Sequence, residues 1–151
     1  MPQPNAGSHV IDPTPPHPVR PRCPAGLALG AWFLLAAMDV TLRLGGFDRF
    51  IRILARWPTL DPTAASAGGR KTLESCAAVD RARMYYFKRA WCLQSAAATM
   101  GLLRLRGVKA DFVIGVRKVP FLAHAWTEVG QQVVMNDRPG LHTLYTEIAR
   151  C

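Results

Sequence analysis

The stretch that decides the fold runs from residue 91 to residue 137: WCLQSAAATMGLLRLRGVKADFVIGVRKVPFLAHAWTEVGQQVVMND. Its apolar period changes once. Up to Leu103 the period is helical, with Leu93, Ala96, Ala97, Met100 and Leu103 on one stripe, because residues three and four apart share a helix face. Gly107 is a natural terminator, since helices end readily on a residue free to take positive φ. Beyond it the period is two. Residues 110–116 (ADFVIGV), 123–129 (AHAWTEV) and 132–136 (QVVMN) are rich in Val, Phe and Trp and read as three short strands. Gly130-Gln131 makes a two-residue turn between the last two. A helix followed by an antiparallel meander is an α+β arrangement, with the helix packed on one face of a small sheet.

Upstream, residues 72–84 carry Leu73, Cys76, Ala77 and Asp80 at helical offsets, with Thr72 or Asp61 as the candidate cap. Residues 85–89 break that period just ahead of Cys92, and residues 58–69, rich in Ala, Thr, Ser and Gly, read as a loop. Residues 26–57 form a helical apolar segment in one or two pieces. Leu27, Gly30, Leu34 and Ala37 share one face, and Phe47, Phe50, Ile51 and Leu54 make a second stripe. Gly45-Gly46 is the expected break, and Trp57-Pro58 the end. The longest apolar run, Leu27 to Met38, has 12 residues, short of the roughly 18 that a membrane span needs. It reads as a buried or partly interfacial helix. Residues 1–25 hold eight prolines and read as a flexible tail in which His9 and His17 have no role. Residues 26–151 then make a single domain, with residues 72–151 as its core.

The chain has 151 residues, half of them hydrophobic, which excludes a wholly disordered protein and suits one core. Its net charge of +9 arises between Arg43 and Lys109, where 13 basic residues face 4 acidic ones. An acidic partner follows from that excess. Nucleic acid is not expected, because no RNP, zinc-finger or helix-turn-helix signature accompanies the charge. Peripheral contact with a membrane surface is compatible with it. The four cysteines, Cys23, Cys76, Cys92 and Cys151, make neither a CxxC pair nor a zinc-type spacing. Reduced thiols in a cytoplasm, and no metal, are the expectation. No phosphate-binding glycine loop is present, so no nucleotide cofactor is expected.

Cys92 stands at the start of the firmest helix, where the macrodipole and unpaired N–H groups favour a thiolate. A partner imidazole is available in His124, inside the middle strand. If Trp126 is buried, His124 shares the helix-facing side with it, close to Cys92; if Ala125, Thr127 and Val129 face the core, His124 faces outward. The group that orients the imidazole is Asp137 or its neighbour Asn136, since cysteine hydrolases use either residue type. His142, past the Arg138-Pro139-Gly140 turn, reads as surface.

The elements CLxxS, LLRxRG, FVIGV, PFxAHAW and ND within residues 91–137 resemble the leader peptidases of lasso-peptide biosynthesis, a branch of the transglutaminase-like cysteine hydrolases. The resemblance implies a papain- or transglutaminase-like core with Cys92 as nucleophile, His124 as general base and acid, and Asp137 as the orienting carboxylate. It implies a precursor peptide as substrate and a thioester intermediate, with the Cys92 N–H as oxyanion donor. It further implies the stand-alone peptidase half of a split system, with a separate leader-recognition protein and an ATP-using cyclase as partners. Two other outcomes fit the same residues. One is acyl transfer to an amine, as in a transglutaminase or peptide ligase; the other is a non-catalytic peptide-binding scaffold.

Overall fold

Ala96, Ala97, Met100 and Leu103, the stripe read as the firmest helix, are all fully buried. They belong to a helix that spans Cys92–Leu105 and ends ahead of Gly107, whose φ is 79°. The computed structural model describes residues 23–60, 67, 69–138 and 140–151. In chain order the elements are α1 (Ala25–Ala55), α2 (Arg70–Met84), α3 (Cys92–Leu105), β1 (Asp111–Arg117), β2 (Leu122–Val129), β3 (Gln132–Met135), α4 (Leu141–Leu144) and β4 (Thr146–Arg150). The strands form one antiparallel sheet in the order β3-β2-β1-β4. The expected α+β architecture is therefore present, with β4 and the short α4 as additions. Gly130 and Gln131 both take positive φ, 57° and 68°, in the tight β2–β3 turn.

The N-terminal segment is one helix interrupted at Gly46, which has φ 70° and ψ 176°. The expected break is there, but the buried face differs. Ala31, Leu35, Met38 and Asp39 are buried, whereas Ala37 is exposed and Leu27, Gly30 and Leu34 are half-buried. After the kink Phe50 and Leu54 are buried, Ile51 half-buried and Phe47 exposed. The first half of α1 is apolar nearly all round, so periodicity alone does not select the face that packs. By length and composition α1 is long and apolar enough to cross a membrane; its inner face packs against α2 and α3.

In α2 the buried residues are Thr72, Ser75, Ala78, Val79 and Ala82, with Leu73 and Asp80 exposed. Small polar residues occupy the interface and displace the expected stripe. Ser75 is satisfied by donating to the Lys71 carbonyl at 2.7 Å. The residue before α2 is Gly69, which offers no capping side chain, and Thr72 lies inside the helix. Asp61, the proline-rich residues 1–22 with His9 and His17, and much of the 58–69 loop lie outside the described residues.

Both arginines of LLRLRG have structural work. Arg104 is buried and donates from Nε to the Ala110 carbonyl at 2.8 Å and from Nη1 to that of Trp57 at 2.9 Å. Arg106 donates to Glu74 at 2.7 Å and to Ser75 Oγ at 2.9 Å. The end of α3 is thereby tied to the end of α1, to α2 and to the start of the sheet. The Arg106 guanidinium also holds the Glu74 carboxyl below the usual carboxylate range.

The sheet is covered on both faces. Ala125 and Val129 belong to the main core with α3, and Thr127 Oγ1 donates to the Ala96 carbonyl of α3 at 2.9 Å. On the opposite face Val113, Trp126 and Leu141 form a second apolar cluster, flanked by Tyr145. Glu128, in the same row as Trp126, is 2% exposed; it accepts from Trp126 Nε1 at 2.7 Å and from Arg150 of β4 at 2.8 Å. A buried carboxylate is tolerable only with such partners.

Candidate active site

Cys92 is the first residue of α3, and the preceding Trp91 has extended backbone with no capping side chain of its own. The cap comes from inside the helix. Gln94 folds back so that its Oε1 accepts the Trp91 N–H at 3.2 Å, while its Nε2 donates to Asp39 Oδ1 at 3.4 Å. Asp39, buried in α1, is also paired with Lys88 of the loop ahead of Cys92 and with Arg43 at 3.4 Å. One carboxylate on α1 thus fastens both the approach to Cys92 and the first turn that follows it. The sequence reading missed Asp39 and Gln94. The available signal was an acid in the middle of an apolar helix, which is rarely buried without partners.

His124 sits near the start of β2 and is 5% exposed. Its Nε2 lies 2.9 Å from the main-chain carbonyl of Asn136. A carbonyl oxygen only accepts, so Nε2 carries the proton, and in the neutral ring Nδ1 keeps its lone pair. The ring stacks near Trp126, with centroids 6.2 Å apart, and contacts Tyr145 at 5.7 Å. Burial lowers the His124 pKa below its usual value; the Asn136 bond opposes that shift and the Arg138 charge adds to it.

The expected link between a buried Trp126 and a helix-facing His124 does not hold. Trp126 is buried, but beneath Tyr145 and Leu141; Thr127 is the residue that faces α3. The premise allowed one buried face, and β2 has two. His124 and Cys92 line one cleft of about 320 Å³, at the corner where β2 begins and β3 ends.

Asn136 closes this corner. It follows β3 with φ 61°, and its Nδ2 donates to the Cys92 carbonyl at 2.9 Å and to the Ala125 carbonyl at 3.1 Å. One residue therefore holds the start of α3, the strand of His124 and, by its own carbonyl, the imidazole. Asp137 lines the same cleft and is exposed. The side chain of His142 lies outside the described residues.

The four thiols are free and half-buried. Cys76 donates to the Val134 carbonyl at 3.3 Å, and burial pushes its pKa up to about 12, which leaves it unreactive. Among the described residues no cluster of His, Cys, Asp and Glu is placed to hold a metal ion. A thiol at a helix start, an imidazole of fixed tautomer and a carboxylate share one open cleft. That is the equipment of nucleophilic acyl chemistry.

Fold and cleft agree with the comparison to known families. The model of the Transglutaminase-like superfamily matches residues 34–150, and the chain belongs to that superfamily. Among curated proteins it is similar to the microcin J25-processing protein McjB of Escherichia coli, with 43% identity over 58 residues. That alignment takes in 38% of this chain and 27% of the relative's length. No solved structure matches the chain.

Proposed function

We propose that this protein is a cysteine peptidase that removes the leader peptide from a lasso-peptide precursor. Cys92 is its nucleophile and His124 its general base and acid; the Asn136 carbonyl holds the imidazole, and Asp137 is the carboxylate of the same cleft. The supporting observation is the shared cleft of Cys92 and His124, in which His124 Nε2 is committed to the Asn136 carbonyl. That commitment leaves Nδ1 as the atom free to exchange a proton with the thiol. The relative's name, a processing protein for a microcin, supports a precursor peptide as the substrate class.

The thiolate of Cys92 attacks the carbonyl at the leader–core junction, and N–H groups of the first turn of α3 face the developing oxyanion. His124 passes its proton to the departing core amine as the C–N bond breaks. Water then gives up a proton to His124 and attacks the thioester, releasing the leader and restoring the thiol. A separate leader-recognition protein delivers the precursor, and an ATP-using cyclase takes the freed core, all in the cytoplasm.

Mass spectrometry of the precursor, incubated with this protein and the leader-recognition protein, tests the reading. Cleavage at one junction that disappears in Cys92→Ala is expected. Cleavage that survives Cys92→Ala removes Cys92 from the mechanism, and a core product carrying an added amine redirects the chemistry to acyl transfer.

A further inference from the structure

Beside Cys92 and His124 the cleft is lined by three arginines, Arg83, Arg89 and Arg138. Arg83 belongs to the end of α2, Arg89 to the loop ahead of α3, and Arg138 to the segment after β3. Three separate elements bring like charges to one opening. Like charges gathered this way repel and disfavour the fold unless a counter-charge arrives.

The protein supplies little of that counter-charge. Arg83 is paired with Asp80 at 3.4 Å, on the outer side of α2 where Asp80 is exposed. Arg89 lies over the exposed Trp91 ring at 5.7 Å, a contact that fixes its position without neutralising it. No ion pair joins Arg138 to another described residue. Asp137 is the one carboxylate in the lining. The charge of Arg138 also reaches the catalytic imidazole, whose pKa it helps to lower.

We infer that this cleft carries a subsite for a carboxylate side chain of the substrate, an Asp or Glu close to the scissile bond, held by Arg89 and Arg138. The inference rests on the peptidase reading for what is bound, and on the arginine placement for how it is recognised. Guanidinium groups suit this task because their fork of donors matches a carboxylate oxygen for oxygen. An amide isostere of the same shape keeps the contact and loses the charge. The Trp91 ring beside Arg89 gives the subsite an apolar wall for the methylene carbons of that side chain.

The test separates recognition from chemistry. Dye-labelled short peptides spanning a leader–core junction, with Asp or its isostere Asn beside the scissile bond, are titrated by anisotropy onto full-length Cys92→Ala. The Asp peptide is expected to bind on the order of tenfold more tightly, as one charge-assisted hydrogen-bonded pair supplies. Arg89→Gln/Arg138→Gln, in the same background, is expected to erase that preference while leaving Asn-peptide binding in place. Arg52→Gln/Arg56→Gln, which removes equal charge from a separate groove, is expected to keep it. Equal binding of the two peptides overturns the subsite, and so does a preference lost equally in both double variants, which assigns it to net charge. Wild-type protein incubated with the same peptides reads the peptidase reaction independently. A preserved Asp preference, beside a full precursor left uncut in the presence of the leader-recognition protein, leaves the subsite standing and removes the peptidase reading.

Discussion

Replacing Asn136 separates the contributions of one residue to the site. Its side chain donates to the carbonyls of Cys92 and Ala125, and its backbone is left-handed at φ 61°. Each of the two bonds contributes about 1 kcal/mol net. A left-handed alanine adds a further cost of about 1 kcal/mol, which glycine escapes. Asn136→Gly is therefore expected to lose about 2 kcal/mol and Asn136→Ala about 3 kcal/mol, read as urea midpoints at constant m-value. The main-chain carbonyl that holds His124 is present in both variants, so the imidazole keeps its acceptor. The tie between the start of α3 and the β2–β3 corner is lost, and on the proposed function kcat for precursor cleavage is expected to fall on the order of tenfold with KM little changed. Asn136→Gly with wild-type stability and wild-type kcat would refute the reasoning, because it would show that neither side-chain bond holds the corner.

Three further outcomes follow from the same geometry. A Cβ on Gly115, opposite His124 across the β1–β2 pair, would lie 2.7 Å from Trp126 Cη2 and 3.0 Å from Tyr145 Cβ. Gly115→Ala is thus expected to cost about 2 kcal/mol in thermal or urea unfolding, and a wild-type midpoint counts against the close packing. Asp39→Asn keeps the shape and removes the charge that Lys88 and Arg43 share. About 2 kcal/mol of stability and part of kcat are expected to go, and full activity would detach α1 from the site. By NMR of Cys92→Ala, His124 is expected to titrate below the ordinary histidine value, so that the ring is neutral at pH 7. Arg138→Gln removes a neighbouring positive charge, makes protonation easier and moves that midpoint upward; an unmoved midpoint excludes Arg138 as a cause.

What was legible in the sequence was whatever a period or a turn specifies locally. The α3 stripe, the change of period after Gly107 and the Gly130-Gln131 turn each have one reading, and the structure places them as read. The helix faces of α1 and α2 were harder. Periodicity finds a stripe when one side is polar, and α1 has apolar residues on both sides, while α2 packs through Thr72 and Ser75. Strand β4 has no alternating apolar signal, with Ile148 exposed and Arg150 turned onto Glu128. At the site, Cys92 and His124 were candidates by residue type and position and Asp137 by resemblance, with Asn136 its rival, and all four line one cleft. The Asn136 side-chain bonds, the Asp39–Gln94 tie and the arginine rim depend on residues distant in sequence that only the fold brings together.

From His124 to Val129 strand β2 has no idle side. One row of its side chains seats α3 and the other carries His124, Trp126 and the buried Glu128, so almost any substitution there trades against folding or chemistry. The loop of Tyr85, Phe87, Arg89 and Trp91 and the β1–β2 hairpin with Val119 and Phe121 expose their side chains instead. Arg89 and Trp91 of that loop line the cleft of Cys92, so on the proposed function adaptation to a new precursor, by natural drift or by directed evolution, would run through the loop. A library confined to that loop changes what reaches the thiol while leaving strand β2 and the Asn136 corner fixed.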